Sequence, residues 1–315
     1  MIAQPMKRIH VMAAVVRDPQ GRILIAQRPA HTHLGGLWEF PGGKLDANEA
    51  RFDGLQRELQ EELGITVTAA RPLLDIRHDY PDKSVRLDVW LVTQFSGTAY
   101  GAEGQPVRWV TAKELDDFEF PAANTPIVVA AQLPEHYLIT PEHLTEDELI
   151  TGLERASASG IRLIQLRLPK LPSAAYRRLA TLAEDRFGRD IQLLTKDIEQ
   201  PLESAGWHLT SNQLRDWAEN SIARPAGLKL LAASCHNAEE LALATQIGVD
   251  FVTLSPIQPT QSHPGAHTLG WEAAKQLIES ANMPVYLLGG LGPADLPRAF
   301  EIGAQGIAGI RQLWQ

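Results

Sequence analysis

The chain has 315 residues, a length that favours two domains over one, and 44% of them are apolar, enough to give each half a core. Its formal net charge is -9, and neither half is basic: 14 basic and 17 acidic residues precede Pro134, and 15 and 21 follow it. That balance argues against a nucleic-acid polymer as partner. A single cysteine, Cys235, precludes an internal disulfide and fits a reducing, cytoplasmic setting, and no apolar run is long enough to span a membrane.

Lys7 and Arg8 precede a short apolar run closed by Arg17, which reads as a first strand and not as an export signal. Strands are predicted over residues 11–16, 23–26, 87–94 and 107–110. One helix is predicted over residues 48–63, stopped by Gly64, with Asp46 and Glu49 spaced as a capping box at its start. Gln132-Leu-Pro-Glu135 reads as a junction, dividing the chain into domains 1–134 and 135–315. Beyond it, eight short apolar runs alternate with helical segments: 137–139, 163–166, 191–194, 207–209, 228–232, 251–254, 285–288 and 307–310. Eight such alternations predict a small (β/α)8 barrel.

Residues 42–65, GGKLDANEARFDGLQRELQEELGI, carry the chemistry. On a helix with Glu58 at zero, Glu61 falls at about 300° and Glu62 at about 40°. Phe52, Leu55, Leu59 and Leu63 fall between roughly 60° and 140°, so a carboxylate cluster borders an apolar stripe. Carboxylates so crowded repel one another, which raises their pKa values unless a cation neutralises them. Hard oxygen donors at this density suit Mg2+, or Mn2+ in its place, and such ions grip phosphates. A solvated glutamate-rich face is the bland alternative. The spacing excludes it: Gly43, five residues, Glu49, seven residues, Arg57-Glu58-Leu59, one residue, Glu61-Glu62, one residue, Gly64-Ile65. Even seven fixed positions at about 7% each arise by chance in on the order of one window in 10^8.

This pattern is the Nudix box, and over residues 6–133 the chain resembles a Nudix hydrolase of the MutT subgroup. The resemblance implies an α/β/α sandwich and metal binding by Gly43, Glu58, Glu61 and Glu62. It gives Arg57 the task of orienting one of these carboxylates through a bidentate pair, and Glu49 a supporting role. Glu103, in YGAEGQPVRW, corresponds to a later-loop glutamate that reaches the metal site. The box holds no serine or cysteine, so water is the expected nucleophile, activated by metal and a carboxylate base. The resemblance sets Arg28, Phe40, Lys44, Lys83 and Asn124 at a nucleoside triphosphate. Asn124, in FPAANTP, would read the purine edge, because an amide both donates and accepts. Lys83 departs from the arginine of relatives. Hydrolysis of 8-oxo-dGTP to the monophosphate and pyrophosphate is the implied reaction.

Residues 136–315 resemble the thiamine phosphate synthase/TenI family through Tyr137-Leu-Ile-Thr140, Gln165-Leu-Arg167, Gly206-Trp-His-Leu209, Ser234-Cys-His236, Leu288-Gly-Gly-Leu291 and Gly306-Ile-Ala-Gly309. The resemblance implies a phosphorylated ligand held by Arg167, Gly289, Gly290 and Gly309. Other positions depart from the family. Of its Asn-Asp pair only Asp197 remains, Gln213 stands for a metal-binding aspartate, Thr260-Gln-Ser-His263 replaces a Thr-x-Thr-Lys, and Pro256 occupies the tautomerase histidine's position. The barrel is therefore expected to bind a ligand, or to pack on the hydrolase, without making thiamine phosphate. His208 and His236 are read as structural before catalytic, and Cys235 as a core residue. The alternative reading is a thiamine-pathway protein: a Nudix half that removes damaged thiamine-type pyrophosphates, and a barrel that binds the phosphate product.

Overall fold

The computed structural model describes residues 8–81, 83–196, 202, 205–260, 265 and 267–314. The chain divides into two compact units, Met1–Gln132 and Leu133–Gln315.

In the first unit a six-stranded sheet is built from β1 (Arg8–Arg17), β2 (Ile23–Gln27), β3 (Trp38–Glu39), β4 (Thr66–Asp79), β5 (Ser84–Ser96) and β6 (Val107–Val110), in the order β3-β2-β1-β5-β4 with β6 on β2. β1 pairs parallel with β5, and Met12 lies opposite Asp88. Two helices cover the sheet, α1 (Arg51–Leu63) on one face and α2 (Thr125–Gln132) on the other. Side chains alternate along a strand, so Met12, Ala14 and Val16 pack with Leu55, Leu59 and Leu63 of α1, while Ala13 and Val15 pack with Ile127, Ala130 and Ala131 of α2. Burial on both faces is why β1 reads as an unbroken apolar run. The result is the expected α/β/α sandwich.

Three details differ from the sequence reading. The helix begins at Arg51 and not near residue 48, because Asn48 adopts φ 64° and cannot be helical. The Asp46 side chain caps nothing: Ala50 is the N-cap, and the Glu49 carboxylate instead accepts from the Asp46 N–H at 3.0 Å. The 14-residue strand β4 went unread because bulges near Val67, Ala69 and Pro72 break its alternation. Gly64, at φ 67°, ends α1 as predicted, its N–H bonding Gln60 O.

The second unit is a closed barrel of eight parallel strands in chain order: β7 (His136–Ile139), β8 (Leu163–Leu166), β9 (Gln192–Lys196), β10 (Gly206–Leu209), β11 (Leu231–Cys235), β12 (Phe251–Leu254), β13 (Val285–Leu288) and β14 (Gly306–Gly309). Only β11 lies noticeably off its predicted run, three residues later. The helices α3 (Glu146–Ala158), α4 (Ser173–Phe187), α5 (Ser211–Glu219), α6 (Ala238–Ile247), α7 (Gly270–Ile278) and α8 (Leu296–Glu301) form the outer ring among the described residues. Ile164, Leu193, Val252 and Leu287 point outward onto these helices. Tyr137, His208, Phe251 and Tyr286 point inward, their rings 5.3–6.4 Å apart, so the centre is a packed layer. Among the described residues no helix is long and apolar enough to cross a membrane.

Leu59 is fully buried between α1 and the sheet. Leu59→Ala should cost about 2–5 kcal/mol. Chemical denaturation followed by calorimetry should show the first unit's transition falling while the barrel's stays where it is.

Candidate active site

The turn before α1 is held by the edge of β1. Met12 N–H donates to Gly43 O at 2.8 Å, Ala14 N–H to Pro41 O at 2.9 Å, and Leu45 N–H to His10 O at 3.0 Å. Gly42 has φ 142°, and a Cβ there would sit 2.2 Å from Met12 O. A Cβ on Gly43 would lie 2.1 Å from Glu58 Oε2. Glycine is needed at both positions, the second because the Glu58 carboxylate rests directly on the turn.

Glu62 reaches the same turn, its Oε2 accepting from Gly42 N–H at 2.9 Å. Burial pushes the Glu62 carboxyl up to about 7, and the charges of Glu39, Glu103 and Glu58 add to the push. Glu61 stands apart, with 59% of its side chain exposed and one contact to Arg57 at 3.4 Å. The crowding expected from the helical wheel therefore falls on Glu62, and its neighbours come partly from other elements.

Arg57 makes its bidentate pair with Glu49, Nε to Oε1 at 2.8 Å and Nη2 to Oε2 at 2.9 Å. This corrects the expectation that the pair would involve a metal-side carboxylate. Glu58 instead receives a single bond from Nη1 at 2.8 Å, and Lys44 O receives one from Nη2 at 3.1 Å. The pair with Arg57 and the Asp46 N–H hold the Glu49 carboxyl down at about 2. The Arg57 guanidinium is held charged by Glu49 and Glu58.

Glu103 lies exposed on a loop stitched to the end of α1: Ala102 N–H and Gln105 Nε2 both donate to Glu62 O, at 2.9 and 3.0 Å. Arg28 is bonded to Glu39 and, through Nε, to His33 O at 2.9 Å. Burial raises the Glu39 carboxyl in spite of Arg28. The backbone of Lys44 bridges to Val11, and its side chain is exposed. Phe40, 4% exposed, stacks on Phe120 at 5.5 Å within the α2-side core. Lys83 Nζ sits 5.6 Å over the Tyr80 ring. Tyr80 hydrogen-bonds the Ala123 backbone beside Asn124 and feels the charge of Arg28. The Asn124 side-chain amide bonds none of the described residues. Glu62 thus feels the charge of Glu39, Glu39 pairs with Arg28, and Tyr80, which feels the charge of Arg28, bonds the residue before Asn124. Glu39 and Tyr80 were missed in the sequence, since neither lies in the box; Glu39, on β3, stands three residues before the Gly42 that Glu62 bonds.

The donors around Gly42 and Gly43 are hard carboxylate oxygens carrying excess negative charge, which fits Mg2+. Among the described residues no three side chains already form a cage that could hold a metal ion.

In the barrel a hydrogen-bonded row lines the interior. Gln165 Nε2 donates to Tyr137 Oη, His208 bridges Tyr137 Oη and Ser234 Oγ, each at 3.0 Å, and Lys196 Nζ donates to Ser234 Oγ at 2.8 Å. Burial, aided by Lys196, holds His208 neutral. His236 bonds Ser255 O at 2.7 Å and is exposed. Burial pushes the Cys235 thiol up to about 12. Arg167 pairs with Glu142 at 2.5 Å. Gly289 and Gly290 have φ 104° and 71°, and a Cβ on either would strike the segment 256–259 within 2.9 Å. Gly309 is buried in β14. Gln213 is the third residue of a capping box with Thr210, at 2.9 and 3.2 Å. Asp197 and His263 lie outside the described residues.

Residues 12–130 match the family described as NUDIX domain, and residues 136–313 the family described as thiamine monophosphate synthase. An 8-oxo-dGTP diphosphatase of Proteus vulgaris is 48% identical over 89 residues, 28% of this chain and 80% of the relative. A CTP pyrophosphohydrolase of Escherichia coli is 37% identical over 125 residues, 40% of this chain and 92% of the relative. A putative thiamine-phosphate synthase of Aquifex aeolicus is 31% identical over 191 residues, 57% of this chain and 97% of the relative.

Glu49 has a depressed pKa, so its stabilising pair with Arg57 is fully present above the ordinary value of 4.5 and is lost as pH falls toward about 2. Melting curves should show wild type above Glu49→Gln at pH 6, with the gap closing as pH approaches 2.

Proposed function

This chain belongs to the Nudix family through its first unit and to the thiamine monophosphate synthase family through its second, and from that premise we propose that its first unit is a Mg2+-dependent 8-oxo-dGTP pyrophosphohydrolase. It is a hydrolase of phosphoanhydride bonds. The carrying observation is the meeting of Glu58 and Glu62 at the Gly42–Gly43 turn, with Glu103 and Glu39 charging the same spot.

Glu58, Glu61, Glu62 and Glu103, with the Gly43 backbone, would hold the metal. Bound there, Mg2+ supplies charge neutralisation for the phosphates and a more acidic water. The chain's own residues do the rest. Arg57 fixes Glu58 and, through Lys44 O, the turn beneath it. Glu62, whose carboxylate meets the Gly42 N–H beside the other donors, is the candidate base for water. Arg28 and Lys83 bring positive charge between carboxylates and base. Phe40 with Phe120 supplies an apolar wall, and the unengaged Asn124 amide is available to a purine edge.

For the barrel we favour ligand binding over synthesis. Gln213 carries no charge and its amide is engaged at the start of α5, so charge compensation for a leaving pyrophosphate is reduced. Arg167 and the Gly289, Gly290 and Gly309 backbone remain the proposed seat of a phosphorylated ligand. The thiamine-pathway reading draws its support from the union of these two families in one chain.

The test is pyrophosphate release by the full chain from 8-oxo-dGTP, dGTP, CTP and thiamine diphosphate analogues. We expect preference for 8-oxo-dGTP and no turnover in excess chelator; activity that persists with chelator overturns the metal assignment, and preference for a thiamine compound overturns the substrate. Glu62→Gln should lose about 3 kcal/mol of transition-state stabilisation, roughly 100-fold in rate. Asn124→Ala should reduce the preference for 8-oxo-dGTP over dGTP roughly 5- to 150-fold, as expected for about 1–3 kcal/mol of base reading. An equal slowing of both nucleotides would remove Asn124 from base recognition.

A further inference from the structure

Asp88 is a charged residue with no exposed surface, in the middle of β5 and outside the box. Burying a carboxylate is unfavourable unless it is fully bonded. Here it is bonded from three elements. Arg51, the first residue of α1, donates Nε to Oδ2 and Nη2 to Oδ1, both at 2.5 Å. His10 Nε2 of β1 lies 3.1 Å from Oδ2, and Trp90 Nε1 of β5 donates to Oδ1 at 2.9 Å. The Arg51 guanidinium also sits 5.3 Å over the Trp90 ring. Burial pushes the Asp88 carboxyl up, but Arg51, His10 and Trp90 more than offset this and keep it below the usual value.

These partners bracket the site. His10 is held at its ring by Asp88 and at its carbonyl by Leu45 N–H, just past the glycine turn. Met12, opposite Asp88 in the β1–β5 register, bonds Gly43 O. Arg51 starts the helix that carries Glu58, Glu61 and Glu62. Between Leu45 and Arg51 the connection is held by Glu49, and Ala50 adds no side-chain cap to the helix start. The contact that matters is narrow, since Glu58 has no slack over Gly43.

We infer that Asp88 and Arg51 are positioning residues: the buried pair sets the start of the carboxylate helix against the strand that holds the glycine turn, and so sets the spacing of the metal-side oxygens. The bonds of the pair are to each other, His10 and Trp90, and none is to Glu58, Glu61 or Glu62. This inference rests on the metal assignment made above. A misplacement of about 1 Å is enough to lose on the order of 100-fold in rate.

The test uses the full chain with Arg51→Met, Arg51→Lys and Asp88→Asn. Arg51→Met strips the buried Asp88 carboxylate of its cation and carries the largest folding penalty. Arg51→Lys, which keeps a charge on Asp88, and Asp88→Asn, which removes the buried charge, are read by the same measurements, with Asp88→Asn expected to follow Arg51→Met, so the test stands if Arg51→Met does not fold. Four quantities are measured: kcat, nucleotide KM, the Mg2+ concentration giving half the maximal rate, and Mn2+ binding followed by electron paramagnetic resonance. Arg51→Met should raise the half-saturating Mg2+ and the Mn2+ dissociation constant about 10-fold and lower kcat about 10-fold, as loss of an outer support does. KM at saturating metal should stay within about twofold, and Arg51→Lys should recover part of the loss. A lower melting temperature with unchanged metal binding and kcat would overturn the inference and leave the pair a stability device. A wild type that neither binds Mn2+ nor hydrolyses any nucleotide would refute the metal assignment first, and this inference with it.

Discussion

The Arg57 guanidinium joins the loop before the helix to the helix itself: it grips Glu49 with two bonds, Glu58 with one, and the Lys44 carbonyl with another. Without a fixed cation at this point, Glu58 and Glu49 would face each other across the turn, and Glu58 would have no reason to lie over Gly43. The geometry explains why arginine and not lysine occupies the position. Four directed bonds to three partners from one rigid plane need a guanidinium; an ammonium on a flexible stem offers a point charge. The rest of the site inherits this arrangement, because Glu62 is one turn on from Glu58 and reaches the adjoining Gly42 N–H.

Around that clamp, the fold supplies what the helix alone lacks. β1, buried on both faces, is a stiff frame whose backbone holds the turn, while its alternate side chains seat α1 and α2. The negative charge on Glu62 comes from three directions: the helix, the end of the β3 strand and the loop carrying Glu103. No single segment could assemble it. Arg28 partly balances this charge by pairing with Glu39, which also means that Arg28 enters any phosphate contact already committed to a carboxylate.

The barrel handles polarity differently. Its inner layer is aromatic, and five of its polar side chains, Gln165, Tyr137, His208, Ser234 and Lys196, form one hydrogen-bonded row, while the buried Thr253 Oγ1 bonds none of the described residues. The Tyr137 hydroxyl accepts from Gln165 and meets His208 Nδ1, and Ser234 Oγ accepts from Lys196 and meets His208 Nε2, so the tautomer of His208 sets the direction of both histidine bonds. Cys235, on the outward face of β11, is held as a thiol by burial.

Much of this was legible in the order of residues. Gly43, Glu49, Arg57, Glu58, Glu61, Glu62 and Gly64 lie within one helix and its flanking turns, where spacing is geometry, so the box announced itself. The eight barrel strands were legible because each is a short apolar run, buried on both faces, between helices. What the sequence could not decide were contacts between segments far apart in the chain. Tyr80 meets Ala123 across 43 residues, and Asp88 finds Arg51 and His10 only because a parallel β1–β5 pairing sets residue 12 opposite residue 88. Arg57's choice of Glu49 for its bidentate pair, and Gln213's engagement as a helix cap, were likewise settled by folding. The sequence by itself determined which local unit carries the chemistry, since 3.6 residues per turn leave a helix little freedom. The tertiary structure alone decided which charges that unit meets, because Coulomb interaction and desolvation depend on distance in space and not along the chain.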